Sequence, residues 1–155
     1  MRYRIAREGV DTIIGNHLEV GALKFEEDKT YVVTWMNNFT VDNIIGTAHD
    51  LRREDDGEIT AEIEWNENGD AIVELLGEKC FVTIYGNEVE QLGGFPKNDG
   101  DPQVLVRSVT LKALFVDNGA IDPWTESEYK RMRPQPVLHG ANPAAFADSV
   151  VKADD

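Results

Sequence analysis

The chain is poor in cysteine, in basic charge and in long apolar runs, and each shortage excludes something. Cys80 is the only cysteine, so no internal disulfide can form, and a lone thiol fits a reducing compartment. No apolar stretch nears the ~18 residues that a membrane-spanning helix needs. The opening MRYRIAREGV lacks the apolar centre of a signal peptide, so the protein is expected to stay where it is made, with no membrane partner. Lys and Arg total 15 against 29 Asp and Glu, a net charge of -14. Nucleic-acid binding requires a basic stripe to neutralise phosphates, and none exists, so no nucleic-acid partner is expected. Also missing are a phosphate-cradling glycine loop, zinc-ligand spacing, HExxH and a GxSxG elbow.

What is present reads as one globular domain. A chain of 155 residues with 41% hydrophobic content can bury a single core without staples. The acidity has two readings. It serves solubility, or it suits a basic protein partner and display in many copies, where self-repulsion limits clumping.

Glu58 to Trp65, EITAEIEW, alternates with a period of two. Ile59, Ala61, Ile63 and Trp65 share one face, and Glu58, Thr60, Glu62 and Glu64 the other, which predicts a half-buried strand with an acidic exterior. Asp55-Asp56-Gly57 before it is a turn signal, and Ile44 to Arg53 reads as the hairpin partner. Tyr31 to Met36 is a further β-branched and aromatic strand. Ile72, Leu75 and Leu76 recur at helical spacing, so a short helix is predicted over Asp70 to Leu76, capped by Asn68 or Asp70 and stopped by Gly77. Lys79 to Tyr85 reads as a strand and Gly93 to Pro102 as a surface loop. Gln103 to Val116 reads as a long strand with Val109, Leu111, Ala113 and Phe115 on one side. The expected fold is α+β: a mostly antiparallel sheet or small barrel with one short helix between strands. The β-rich domain spans residues 1–119. Residues 120–155 form an extended Pro-rich arm, with helical turns over Glu126 to Met132 and from Asn142-Pro143 through Phe146 to Val151.

Candidate chemistry is sparse. Of His17, His49 and His139, His49 pairs with Cys80 or Thr83 as base and nucleophile in one reading. In the other it is a solvated strand residue among Asp50, Arg52 and Arg53. Cys80 suits a small buried hydrophobe better than a reactive thiol. The acidic runs at Glu26-Glu27-Asp28, Glu54-Asp55-Asp56 and Asp99-Gly100-Asp101 lack calcium-loop spacing and read as solvated turns. No metal or cofactor is expected.

Four segments, from about Gly15 to Trp124, occur in an order and spacing that resemble the prohead (capsid maturation) proteases of tailed phages, relatives of the herpesvirus assemblins. These are Gly21-Ala22-Leu23 ahead of YVVTW; Ile45-Gly46-Thr47-Ala48 followed by LRREDDGEITAEIEW; the helix Ala71 to Gly77 running into CFVTIYG; and Val106 to Ala120 followed by Asp122-Pro123-Trp124. The resemblance implies a serine nucleophile, a histidine base and an acidic orienter. The base would precede the Ile-Gly, yet Asn37 to Gly46 reads NNFTVDNIIG, so Asn38 stands in its place. The nucleophile position matches Thr83. An amide cannot accept a hydroxyl proton near neutral pH, so the implied state is a degenerate site on a retained scaffold.

The resemblance therefore implies a virion structural protein, a minor capsid, cement or decoration protein, whose partner is the major capsid protein and which could also meet its own copies on the shell. Trp124, Tyr129, Leu138 and Phe146 are the expected capsid-binding anchors of the arm. The alternative is an active maturation protease using Thr83 or Cys80 with His49. An acidic adaptor with no phage role is a third reading.

Overall fold

The computed structural model describes residues 1–12, 15–94, 102–117, 122 and 124, together with the backbone of 150–152. Among the described residues, nine strands, β1 (Arg2–Arg7), β2 (Asn16–Leu18), β3 (Leu23–Lys24), β4 (Tyr31–Trp35), β5 (Ile44–Arg53), β6 (Glu58–Trp65), β7 (Val82–Leu92), β8 (Val104–Val116) and β9 (Val150–Lys152), form one sheet, with one α-helix, α1 (Glu67–Leu76), between β6 and β7. The main path runs β1-β6-β5-β4-β8-β7-β9. β1 and β7 approach each other, so the sheet curls into a half-barrel.

β8 is the spine. One of its edges carries β7, antiparallel. The other edge carries three short parallel strands in succession: β2 at Val104–Val106, β3 at Val109–Thr110 and β4 at Leu114–Val116. The sheet is therefore mixed, with antiparallel pairing confined to β1-β6-β5-β4 and β7-β8. Parallel pairing of β4 with β8 follows from the long crossover through β5, β6, α1 and β7, which returns the chain in the same direction.

The hairpin forms where its alternation predicts. β5 and β6 pair antiparallel around a turn in which Gly57 takes φ 87, the left-handed region that glycine enters without a Cβ clash. Ile59, Ala61 and Ile63 are buried, and Glu64 is exposed. Trp65 is only half-buried; its ring meets Tyr3 edge-on at 5.6 Å and its Nε1–H donates to the Tyr3 hydroxyl. β1 was not foreseen in the sequence. It covers the free edge of β6 and turns the outer acidic residues into ion-pair partners: Met1 N and Arg2 on Glu62, Arg4 on Glu58.

The helix begins earlier than its apolar spacing indicates. Asn66 is the cap, with Oδ1 accepting from the Gly69 N–H, rather than Asn68 or Asp70. Gly77 ends it at φ 58, as expected. Ile72, Val73 and Leu76 pack on the core, whereas Leu75, expected inward, is 83% exposed, because 100° per residue carries position 75 off the face centred on 69, 73 and 76. Gly69 permits the contact: a Cβ there would collide with the Ile45 carbonyl oxygen and lie 2.9 Å from the Trp65 ring.

The face assigned to β8 also needs correction. Tyr85 opposes Ala113 but Gly86 opposes Leu111, so a bulge at Lys112 breaks the alternation and splits Val109 and Leu111 from Ala113 and Phe115. Both faces are covered near the strand's end, and Ala113 to Val116 are all buried. Trp124 is fully buried in the same core as Ile5, Leu18, Leu23 and Ile84, so the domain extends past residue 119. Arg7 donates to the Trp124 carbonyl, Arg4 pairs with Asp122, and Asp122 Oδ1 accepts from the Trp124 N–H. The helix expected through Val151 is not what forms at its end, since Val150–Lys152 is a strand on β7. The turns expected over Glu126 to Met132 lie outside the described residues.

Candidate functional site

The site implied by the resemblance is built by two elements, the β4–β5 connection and β7. β4 ends at Trp35, and Met36 takes φ 61, which turns the chain sharply. Its N–H donates to the Val116 carbonyl at 2.7 Å, and its own carbonyl accepts from the Thr34 hydroxyl at 2.8 Å. Asn43 closes the loop from the far side, with Nδ2 donating to the carbonyls of Trp35 and Asn38. The loop thus has a definite path, with Asn37 and Asn38 exposed at its tip.

Phe39 carries the loop onto the sheet. Its ring lies 4.1 Å from that of Tyr85 and 6.1 Å from that of Phe115. Thr83 opposes Phe115 in the β7–β8 ladder and lies two residues from Tyr85, so all three side chains share one face. Thr34 on β4 continues that row through its pairing with Phe115. The segment carrying Asn38 and the strand carrying Thr83 therefore meet at one patch. Thr83 is 9% exposed, and aromatic rings occupy its neighbourhood.

His49 is not part of this patch. The row through Thr83, Phe115 and Thr34 crosses β5 at Ile44. His49 lies further along β5 by about 16 Å of strand, and three strands away from β7. Its Nε2 faces Glu64 Oε2 at 3.7 Å. Cys80 is separate again. It is buried, and burial pushes its thiol above the ordinary 9.0, which disfavours the nucleophilic thiolate. It lies near Tyr3, on the Trp65 side of the barrel. Neither His49–Cys80 nor His49–Thr83 is assembled as a base–nucleophile pair. His17 instead pairs with Asp11, Nδ1 to Oδ1 at 2.9 Å. Among the described residues, no group of three His, Cys, Asp or Glu side chains converges as metal ligands would.

Of the anchors expected in the arm, Trp124 is spent within the domain's own core. Tyr129, Leu138 and Phe146 lie outside the described residues, as does His139.

One buried polar node escaped sequence reasoning. The Glu8 side chain is 1% exposed and accepts from Gly21 N at 3.0 Å, from Leu23 N at 2.9 Å, and from Arg53 Nε and Nη2 at 3.0 Å each. Arg53 also donates to the Leu23 carbonyl and stacks over Phe25 at 4.9 Å. Burial alone would raise the Glu8 carboxyl; the hydrogen bonds from Arg53, Leu23 and Gly21, with the Arg53 charge, outweigh it and hold the group below its ordinary 4.5. The node folds the Gly21-Ala22-Leu23 turn onto the β5–β6 hairpin. The available signal was the invitation of two amides at a glycine turn, which no spacing rule connects to Glu8.

Neither the models of known families, nor the curated proteins, nor the solved structures contain a match to this chain.

Proposed function

We propose that the chain is a virion structural protein of a tailed phage, a minor capsid, cement or decoration protein that binds and stabilises the major capsid protein shell on a pseudo-protease scaffold. The observation that carries the reading is the meeting of the Asn38 loop with the Thr83 strand at one patch. In the resemblance those segments bear base and nucleophile. Here the loop bears an amide, and Phe39 packs against Tyr85 and Phe115, an arrangement suited to holding the loop in place; among the described residues no histidine stands beside Thr83 to act as its base. The only histidine on β5 stands well away, beside Glu64.

The acidic surface suits a basic capsid patch, where charge complementarity speeds and orients docking. With Trp124 committed to the core, Tyr129, Leu138 and Phe146 remain the arm residues available to insert into a neighbouring subunit. The test is quantitative mass spectrometry of purified mature particles from the source. Full-length protein in fixed ratio to the major capsid protein is the expected result. Absence of the chain, or self-trimmed fragments beside a processed capsid protein, would overturn the reading in favour of the maturation protease.

A further inference from the structure

Arg4 and Arg7 are three positions apart on β1, a spacing that puts side chains on opposite faces of a regular strand. The bulge between Arg4 and Ala6 absorbs one residue, so both guanidiniums turn to the same side. They meet the segment of Asp122 and Trp124. Arg4 pairs with Asp122, and Arg7 Nη1 donates to the Trp124 carbonyl at 3.3 Å. Asp122 Oδ1 accepts from the Trp124 N–H at 3.0 Å and closes the set.

The two arginines divide the nearby carboxylates unequally. Glu58 opposes Arg7 in the β1–β6 ladder, yet its Oε1 lies 3.4 Å from Arg4 Nη1, and Asp122 is also a partner of Arg4. Arg7 has no carboxylate partner among the described residues. Three N–H groups in this set are buried without an acceptor: Arg4 Nε, Arg7 Nε and Nε1 of Trp124, a fully buried residue. Buried donors without acceptors are few in native folds, because each keeps the cost of leaving water and recovers nothing.

Arg53 shows what the open edge of Arg7 can hold. It grips both oxygens of Glu8 through Nε and Nη2, at 3.0 Å each, the fork that matches a planar carboxylate. In Arg7 only Nη1 is engaged, so the equivalent Nε and Nη2 edge is the one left unanswered among the described residues. Arg7 is partly exposed, which lets a ligand approach from outside.

We propose that Arg7, Arg4 and Trp124 form a binding site for a small carboxylate anion, held through both oxygens by Nε and Nη2 of Arg7. Arg4 Nε and the Trp124 indole N–H supply further donors about the same segment, and the unpaired Arg7 charge supplies the attraction. A halide satisfies the charge but offers no two-oxygen edge to the fork.

The inference goes beyond the capsid reading and is tested on the free chain in solution. The full-length protein, labelled with nitrogen-15, is titrated with sodium acetate replacing sodium chloride at constant ionic strength. Arginine Nε–H and tryptophan indole N–H signals are followed. The Arg7 and Trp124 signals are expected to move and saturate. Those of Arg53, already bonded to Glu8, and Trp65, already bonded to the Tyr3 hydroxyl, should stay in place. Arg7→Lys keeps the charge and loses the fork, so the Trp124 response should need several-fold more acetate. Arg52→Lys, at an exposed arginine paired with Asp50, should titrate as the unmodified chain does. Arg7 and Trp124 signals that stay still, or drift without saturating, would overturn the proposal and leave these donors to water. A Trp124 response in Arg7→Lys equal to that of the unmodified chain would also overturn it. The unmodified chain alone decides the matter if that variant fails to fold.

Discussion

Glu8 and Glu62 are the same residue on the same half-barrel, in opposite physical situations. Glu8 is sealed from water and meets four donors at 2.9–3.0 Å. Glu62 lies on the outer wall, 35% exposed, sharing the N-terminal ammonium and Arg2 with solvent. A buried carboxylate is tolerable only when every lone pair is answered, and removing one partner leaves the others stranded. An exposed ion pair loses most of its attraction to the dielectric and to salt. Among the described residues, Glu8 is the acid buried below a tenth of its surface, and it ties the Gly21–Leu23 turn to the hairpin.

Changes at these positions can separate the two cases. Glu8→Ala should have the largest effect, lowering stability by about 3 kcal/mol in urea denaturation. It orphans the Gly21 and Leu23 amides together with Arg53, whose 42% exposure lets water recover part of the loss. A double-mutant cycle with Arg53→Leu should show strong coupling, so that the double variant is far less destabilised than the sum of the singles. Additive losses would mean that the carboxylate and the guanidinium act independently.

The pH dependence follows from the direction of the Glu8 shift. Its folded carboxyl titrates below the ordinary 4.5, so the unfolded chain binds more protons as acid is added. The contribution is fully present above the unfolded value and is lost as pH falls through the folded one. Thermal melts of the unmodified protein should therefore decline more steeply below pH 4.5 than those of Glu8→Ala. Parallel acid profiles for the two would remove Glu8 from the account.

The outer wall should respond weakly. Glu62→Lys is expected to cost about 1 kcal/mol, since it repels Arg2 and the N-terminus that hold β1 on β6. Glu64→Lys, 78% exposed and facing His49, should change stability by no more than about 0.5 kcal/mol. Equal effects at positions 62 and 64 would show that β1 is not held through these charges.

The hairpin, the helix and the long strand were legible in the sequence because each is a local pattern. EITAEIEW alternates, Gly57 and Gly77 punctuate, and β-branched residues fill Val104–Val116. β1 was missed because RYRIAR breaks its alternation at Ile5-Ala6, where the ladder has a bulge, and the meaning of its arginines depends on the opposing Glu58 and Glu62. The sidedness of β8 was misread because a bulge at Lys112 is a property of the ladder, invisible in one strand. Of the candidate site, the loop and strand that meet were both picked out, through Asn38 and Thr83. That aromatic rings fill their meeting place depends on Phe39 folding back across two strands.

Composition and period alone determined that this is a strongly acidic, β-rich domain with one short helix, because charge and side-chain alternation are encoded residue by residue. Only tertiary structure decided which of the described acids is buried, which histidine is remote and that Trp124 belongs to the core. Those outcomes rest on contacts between residues far apart in the chain: Glu8 with Arg53, Thr83 with Phe115, and Arg7 with Trp124. Burial and dielectric, which set what each side chain can do, exist only once those partners meet.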